Sequence, residues 1–203
     1  MTTFFQLPSS TKGFFFVRDP KNLFDDILRE ASNEIDDEID VPNADVRLVK
    51  RPKVTGRLRD GRLRGLRNLA RLDPTCYYYI HSISGFGLSG TIRLSNLQAY
   101  YTASVGKLFS TGLSATIEYV DFDFEAETCM RGGCTLTITK FDMDVGDIRV
   151  SFGRGNKHLA KLTDLAIDKV KDQLVDVFAG QLQRSIQNAL NSLNLDQVYE
   201  FYD

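Results

Sequence analysis

From Leu159 to Leu193 the chain places Leu159, Leu162, Ala166, Val170, Leu174, Val177, Phe178, Leu182, Ile186, Ala189, Leu190 and Leu193 at three- and four-residue steps, with no proline among them. That spacing predicts one helix of about 35 residues, roughly 50 Å long at 1.5 Å per residue. A helix so long needs an apolar cover of matching length, which restricts what the other residues can build. Gly180 in its interior costs about 1 kcal/mol against alanine, so it marks either a bend or a close contact.

The cover is written in period two. Apolar and polar residues alternate in 91–95, 113–119, 120–126, 136–139 and 141–145, the pattern of half-buried antiparallel strands. The inward parity shifts twice, between Tyr119 and Val120 and between Ile138 and Phe141. A hairpin turning near Arg131 to Gly133 is expected to bring these shifts side by side, as paired bulges that bend a long, strongly curved sheet.

At the other end, Asp19-Pro20 is an N-cap and first-turn signature, and Leu23, Phe24, Ile27, Leu28, Ala31, Ile35 and Ile39 keep a helical stripe. This predicts an amphipathic helix from about Pro20 to about Asp40 with an acidic outer face. The fold class is therefore α+β: helix, long antiparallel β region, helix. Within 203 residues, 42% hydrophobic and 26% charged, one large domain or two small ones fit. No run of about 18 apolar residues is present for a membrane-spanning helix, and the first residues lack the pattern of a secretory signal. Either the protein is cytoplasmic or a signal has been removed.

A net charge of −2 gives no global attraction to nucleic acid, yet the charges are segregated, acidic over 25–45 and basic over 47–71. The arginines of the basic segment alternate with Leu58, Leu63, Leu66, Leu69 and Leu72, so they form either a solvated strand face or a surface for an anionic partner. The run Asp36-Asp37-Glu38-Ile39-Asp40 has the DDxxD spacing of magnesium-binding prenyl synthases, but it fits the acidic face of the first helix better. Asp142, Asp144 and Asp147 alternate with Met143 and Val145 as outward strand carboxylates, without the closing glutamate of a calcium loop. Gly85-Phe86-Gly87-Leu88-Ser89-Gly90 matches GxGxxG, but a strand follows it where a nucleotide site needs a helix N-terminus. His81 and His158 lie in no ligand-spaced cluster and have no nucleophile in a motif, so no metal and no catalytic set is assigned. Cys129 and Cys134 flank a tight-turn sequence, where a disulfide and two free thiols both fit.

What remains is apolar and aromatic: Phe86, Phe109, Phe122, Phe124, Phe141, Phe152 and the cluster Tyr77, Tyr78, Tyr79, Tyr100 and Tyr101. A sheet wrapped on one helix has more inward aromatic surface than that helix covers, and the surplus suggests an apolar ligand cavity.

Several segments now resemble a known family. Residues 83–98, ISGFGLSGTIRLSNLQ, and 152–190, FGRGNKHLAKLTDLAIDKVKDQLVDVFAGQLQRSIQNAL, resemble insect takeout and juvenile-hormone-binding proteins. Residues 19–36 and 56–71 are similar to the opening helix and first strands of mite group 7 allergens. Both groups belong to the tubular lipid-binding superfamily that includes bactericidal/permeability-increasing protein. The resemblance implies a single elongated roll over residues 19–203, its curved antiparallel sheet wrapped around the C-terminal helix. It also implies a tunnel for a fatty acid, terpenoid or carotenoid, no required cofactor, no catalysis and an extracellular location. No cysteine precedes Cys76, whereas takeout-like proteins carry an N-terminal pair, which favours the allergen-like or a divergent branch.

Tyr79, Phe86, Leu88, Ile92, Phe109, Ile117, Phe122, Phe124, Phe141, Met143, Phe152, Leu174 and Phe178 are the expected ligand-lining residues, with Tyr79 or a basic residue orienting a polar end. Gly85, Gly87 and Gly90 serve the curvature of the sheet. Residues 1–18 form a Phe-rich arm that covers a tunnel mouth or mediates self-association. The competing expectation is an interaction protein whose basic strand face binds an anionic membrane or glycan.

Overall fold

The computed structural model describes residues 14–16, 19–49, 54–80, 85–106, 109–129, 135–153, 160–193 and 199–201, with backbone alone at 14–16, 49, 129 and 199–201. His81, His158, Cys134, the side chain of Cys129 and most of the N-terminal arm thus lie outside the described residues. At the two ends, β1 (Phe14–Phe16) pairs antiparallel with β12 (Tyr199–Phe201).

Helix α1 (Pro20–Glu34) starts as the sequence predicts, with the Asp19 carboxylate accepting from the Lys21 amide at 2.8 Å and proline in the first turn. It stops at Glu34, short of the predicted Asp40. Carried onward, the helix would end in a cluster of carboxylates at the negative end of its dipole. Instead Ile35 turns extended, and β2 (Glu38–Val41) pairs antiparallel with Gly61 to Arg64. The DDxxD run is therefore part loop and part strand, not a helix face.

Eight of the strands form four long ones, each interrupted once. They are β4 (Val54–Arg64) with β5 (Leu69–Ile80), β6 (Gly85–Leu94) with β7 (Leu97–Val105), β8 (Phe109–Ile117) with β9 (Val120–Cys129), and β10 (Thr137–Val145) with β11 (Ile148–Phe152). All neighbours are antiparallel; one half of the roll runs β5, β6, β9, β10 and the other β4, β7, β8, β11, with β2 and β3 (Ala44–Val49) on the outer side of β4.

The interruptions lie at one level and form a crease. At each, the inward apolar residue is followed by two others and then by the next apolar one: Leu66 to Leu69, Leu94 to Leu97, Ile117 to Val120, Val145 to Ile148. A step of three where strands step by two turns the backbone without losing the inward face. The register stacks Leu69, Leu94, Val120 and Val145 on one side of the crease and Leu97, Ile117 and Ile148 on the other. Hydrogen bonds continue through it, from the Glu118 amide to the Asp147 carbonyl and from the Gly146 amide to the Tyr119 carbonyl, both at 3.0 Å.

The two predicted parity shifts are not side by side. Val120 pairs with Val145, so the shift at Val120 meets another at Val145 to Ile148, while the one at Ile138 to Lys140 is a separate bulge opposite Glu125 and Ala126.

The C-terminal helix runs from Ala160 to Ser192 as α2 (Ala160–Gln173), a π turn (Leu174–Phe178) and α3 (Ala179–Ser192). Leu162, Ala166, Val170, Leu174, Phe178, Leu182, Ile186 and Leu190 are all buried. Their uniform four-residue step would rotate the stripe by about 40° per turn at 3.6 residues per turn, and the extra residue of a π turn takes some of that rotation back. No close contact explains Gly180, where a Cβ would meet nothing within 4 Å. Helix α2 packs on β3, β4 and β11, and α3 on β10 and α1.

Two glycine substitutions check this packing in opposite directions. A Cβ at Gly61 would lie 2.4 Å from the Tyr101 ring and 2.6 Å from the Val41 carbonyl oxygen, so Gly61→Ala is expected to cost about 1–3 kcal/mol in urea denaturation. Gly180→Ala should stabilise by about 0.5–1 kcal/mol.

Candidate functional site

The inner face is built by the alternation of each strand. Phe86, Leu88, Ile92, Ile117, Phe122, Phe124, Leu174 and Phe178 are buried in one apolar cluster, and Phe109, Phe141, Met143 and Phe152 pack against it half-buried. Tyr79 is half-buried opposite Phe86 at the far end of β5, outside that cluster. The two halves differ in content. Beyond the crease on the β9 side the interior is aromatic: Phe122 stacks on Phe141 with centroids 5.2 Å apart, touches Phe178 at 6.1 Å, and Phe24 meets Phe124 edge-on at 5.5 Å. On the β7 side Ala99, Ala103 and Ala115 alternate with the larger Leu97, Tyr101 and Leu113, all buried, and α2 packs on β2, β3, β4 and β11.

Helix α1 shares the interior through Phe24, packing on β5 and α3. The inward aromatics are thus covered by two helices, which removes the surplus expected from a single one. Apolar surface is instead left partly open at the edge. Along β10 and β11, Ile138, Phe141, Met143, Val145, Ile148, Val150 and Phe152 are all half-buried. They make one continuous seam between the last strands and the C-terminal helix, and this seam is the candidate site.

Three buried hydroxyls lack a hydrogen-bond partner among the described residues: Thr75, Tyr101 and Thr128. Leaving such a group unsatisfied costs about 1–3 kcal/mol, so each calls for an explanation. Tyr101 is 3% exposed; burial pushes its phenol above the usual range, and the charge of Asp172 on α2 pushes the same way. Sequence reasoning named Tyr79 or a basic residue for the polar end and placed Tyr101 only within the aromatic cluster, without marking it as a buried hydroxyl. The available signal was the inward row Leu97, Ala99, Tyr101, Ala103, in which one polar tip stands among small apolar residues.

The glycines of the GxGxxG stretch make room for rings on both faces of β6. A Cβ at Gly87 would lie 2.2 Å from the Tyr78 ring on the outer face and one at Gly90 2.9 Å from Phe24 on the inner. Tyr78 in turn donates to Glu127 at 3.1 Å.

Charge segregation resolves into pairing. Antiparallel β2 and β3 bring the acidic segment against the basic one, with Arg59 on Asp45 at 2.6 Å, Arg62 on Asp40 at 2.5 Å and Arg64 on Glu38. Arg71 holds Asp25 at 2.9 Å and also Asp73. These arginines already have carboxylate partners, which weighs against the basic strand as a surface for anions.

No sequence-family model matches the chain, and a search among curated proteins returns no match. Among solved structures, lipopolysaccharide-binding protein aligns with a TM-score of 0.51 at 11% identity, covering 85% of this chain and 37% of that one. The chain therefore spans little more than a third of the length of that protein. Takeout 1 of Epiphyas postvittana aligns with a TM-score of 0.40 at 15% identity, covering 79% of this chain and 82% of its own. Latherin aligns at 0.35 and 13% identity, covering 87% and 74%. The first of these alignments shows a shared fold, a curved antiparallel sheet with a long helix packed on it.

If the pairing of Arg59, Arg62 and Arg64 leaves β4 with little free positive charge, the intact chain should adsorb weakly to phosphatidylglycerol vesicles. Glu38→Gln, which releases Arg64, should raise that adsorption at low salt, with the gain lost as salt is added.

Proposed function

We propose that this chain is a non-enzymatic carrier of a hydrophobic small molecule, a fatty acid, terpenoid or carotenoid, held along the inner face of its roll. The observation that carries the proposal is the seam: seven inward apolar side chains on β10 and β11 stay half-buried beside a helix of matching length. Burying apolar area there contributes about 25 cal/mol per Å², and a long thin ligand shares its surface with both walls. In this reading the half-buried Phe141, Met143 and Phe152 meet a ligand first and the fully buried Phe122, Leu174 and Phe178 back them. The binding unit is residues 19–203, with 1–18 an appended arm, and the carrier works outside the cell. The likeness in fold to a protein named for binding lipopolysaccharide agrees with an apolar cargo.

Native mass spectrometry and organic extraction of the purified chain should yield one apolar molecule per chain. Met143→Lys combined with Val150→Lys should weaken uptake of fluorescent fatty-acid and retinoid probes by tenfold or more while leaving the circular dichroism spectrum intact. A chain that is empty and also refuses fatty-acid, terpenoid and carotenoid probes would contradict the proposal.

A further inference from the structure

We propose that the carrier selects ligands with a neutral oxygen-bearing head, an alcohol, ester or ketone, and that the Tyr101 hydroxyl is the group that holds that oxygen. This rests on the carrier function and adds to it the chemical class of the ligand's polar end.

Tyr101 lies on the inner face of β7, 3% exposed, and its hydroxyl has no partner among the described residues. Its strand neighbours on that face, Ala99 and Ala103, offer no polar side-chain atom. The ring is backed by Gly61, where even a methyl group would lie 2.4 Å away, so it is closely held on that side. Across the sheet Tyr101 pairs with Leu113 and Leu113 with Phe152, which is half-buried on the edge strand β11. An apolar row thus crosses the inner face from the seam to β7, and the Tyr101 ring continues it over Gly61 of β4. A ligand entering past Phe152 takes the place of the packing over Leu113 and brings its head to the far end of that ring.

A phenol both donates and accepts, so one hydroxyl satisfies a neutral oxygen. It does not offset the burial of an ionised carboxylate, which needs a paired cation. The charge whose field reaches Tyr101 is the Asp172 carboxylate, of the same sign as a fatty-acid head. Lys169 beside it is already held by Asp172 at 2.7 Å.

The test compares binding of farnesol, methyl palmitate, ionised palmitate and the hydrocarbon probe diphenylhexatriene to the whole chain and to Tyr101→Phe. The wild type is expected to take farnesol and methyl palmitate more tightly than palmitate. Tyr101→Phe should weaken those two about tenfold and leave diphenylhexatriene unchanged. Its denaturation midpoint should be equal or higher, since an unpaired buried hydroxyl is removed, so loss of fold does not account for the change. Equal binding of farnesol and methyl palmitate by wild type and variant, or a wild-type preference for palmitate, overturns the assignment to Tyr101 while the carrier function stands. Failure of the wild type to bind any of the four overturns both.

Discussion

Leu94, Leu97, Ile117 and Val120 meet at the centre of the sheet, all essentially inaccessible to solvent, and the roll turns on their contact. Around them four long strands change direction at one level, which converts a four-stranded meander into a surface with an inside. Without that crease a sheet of strands this long would be open and twisted, with one face to water. With it, the inner face curves round a helix of comparable length, and the stripe of that helix from Leu162 to Leu190 finds apolar cover along its whole course. The π turn at Leu174 to Phe178 lies within the same cover and keeps the stripe inward.

Curvature also decides where the fold is unfinished. The β9 side is filled by ring on ring, and on the other half α2 rests on β2, β3, β4 and β11. At the last strands no further strand pairs with β10 and β11 among the described residues; Gln187 of α3 bonds the Ile138 amide and the Leu136 carbonyl at one end of that edge, and the inward side chains of both strands stay half-buried. An apolar molecule completes that cover by the same burial that stabilises the core. Charge has a different task. Cross-strand pairing of Glu38 and Asp40 with Arg64 and Arg62 pins β2 to β4 at the outer surface.

Much of this was legible in the residues. The period-two stretches became strands, the three- and four-residue stripe became the C-terminal helix, and GFGLSG became a strand because alternation continues after it. The crease was legible only in part. The step of three was visible at Ile117 to Val120, but the same spacing at Leu66 to Leu69, Leu94 to Leu97 and Val145 to Ile148 gains meaning only when register aligns them. The end of α1 was hidden because Ile35 and Ile39 are four apart, a spacing a helix also favours, and the arginines that draw Glu38 and Asp40 into a strand lie two dozen residues away. That α1 packs on β5 and α3, and that the Tyr101 hydroxyl has no partner among the described residues, are matters of tertiary packing that no local pattern records.

The central claim is that ligand enters and lies along the seam between the last strands and the C-terminal helix. Amide hydrogen exchange of the delipidated chain, before and after loading with farnesol, tests it most directly. Slower exchange concentrated in Thr137–Val145, Ile148–Phe152 and Ala160–Gln173 is the predicted result. Unchanged exchange in those segments, or protection confined to β2, β3 and the outer face of β4, would contradict it.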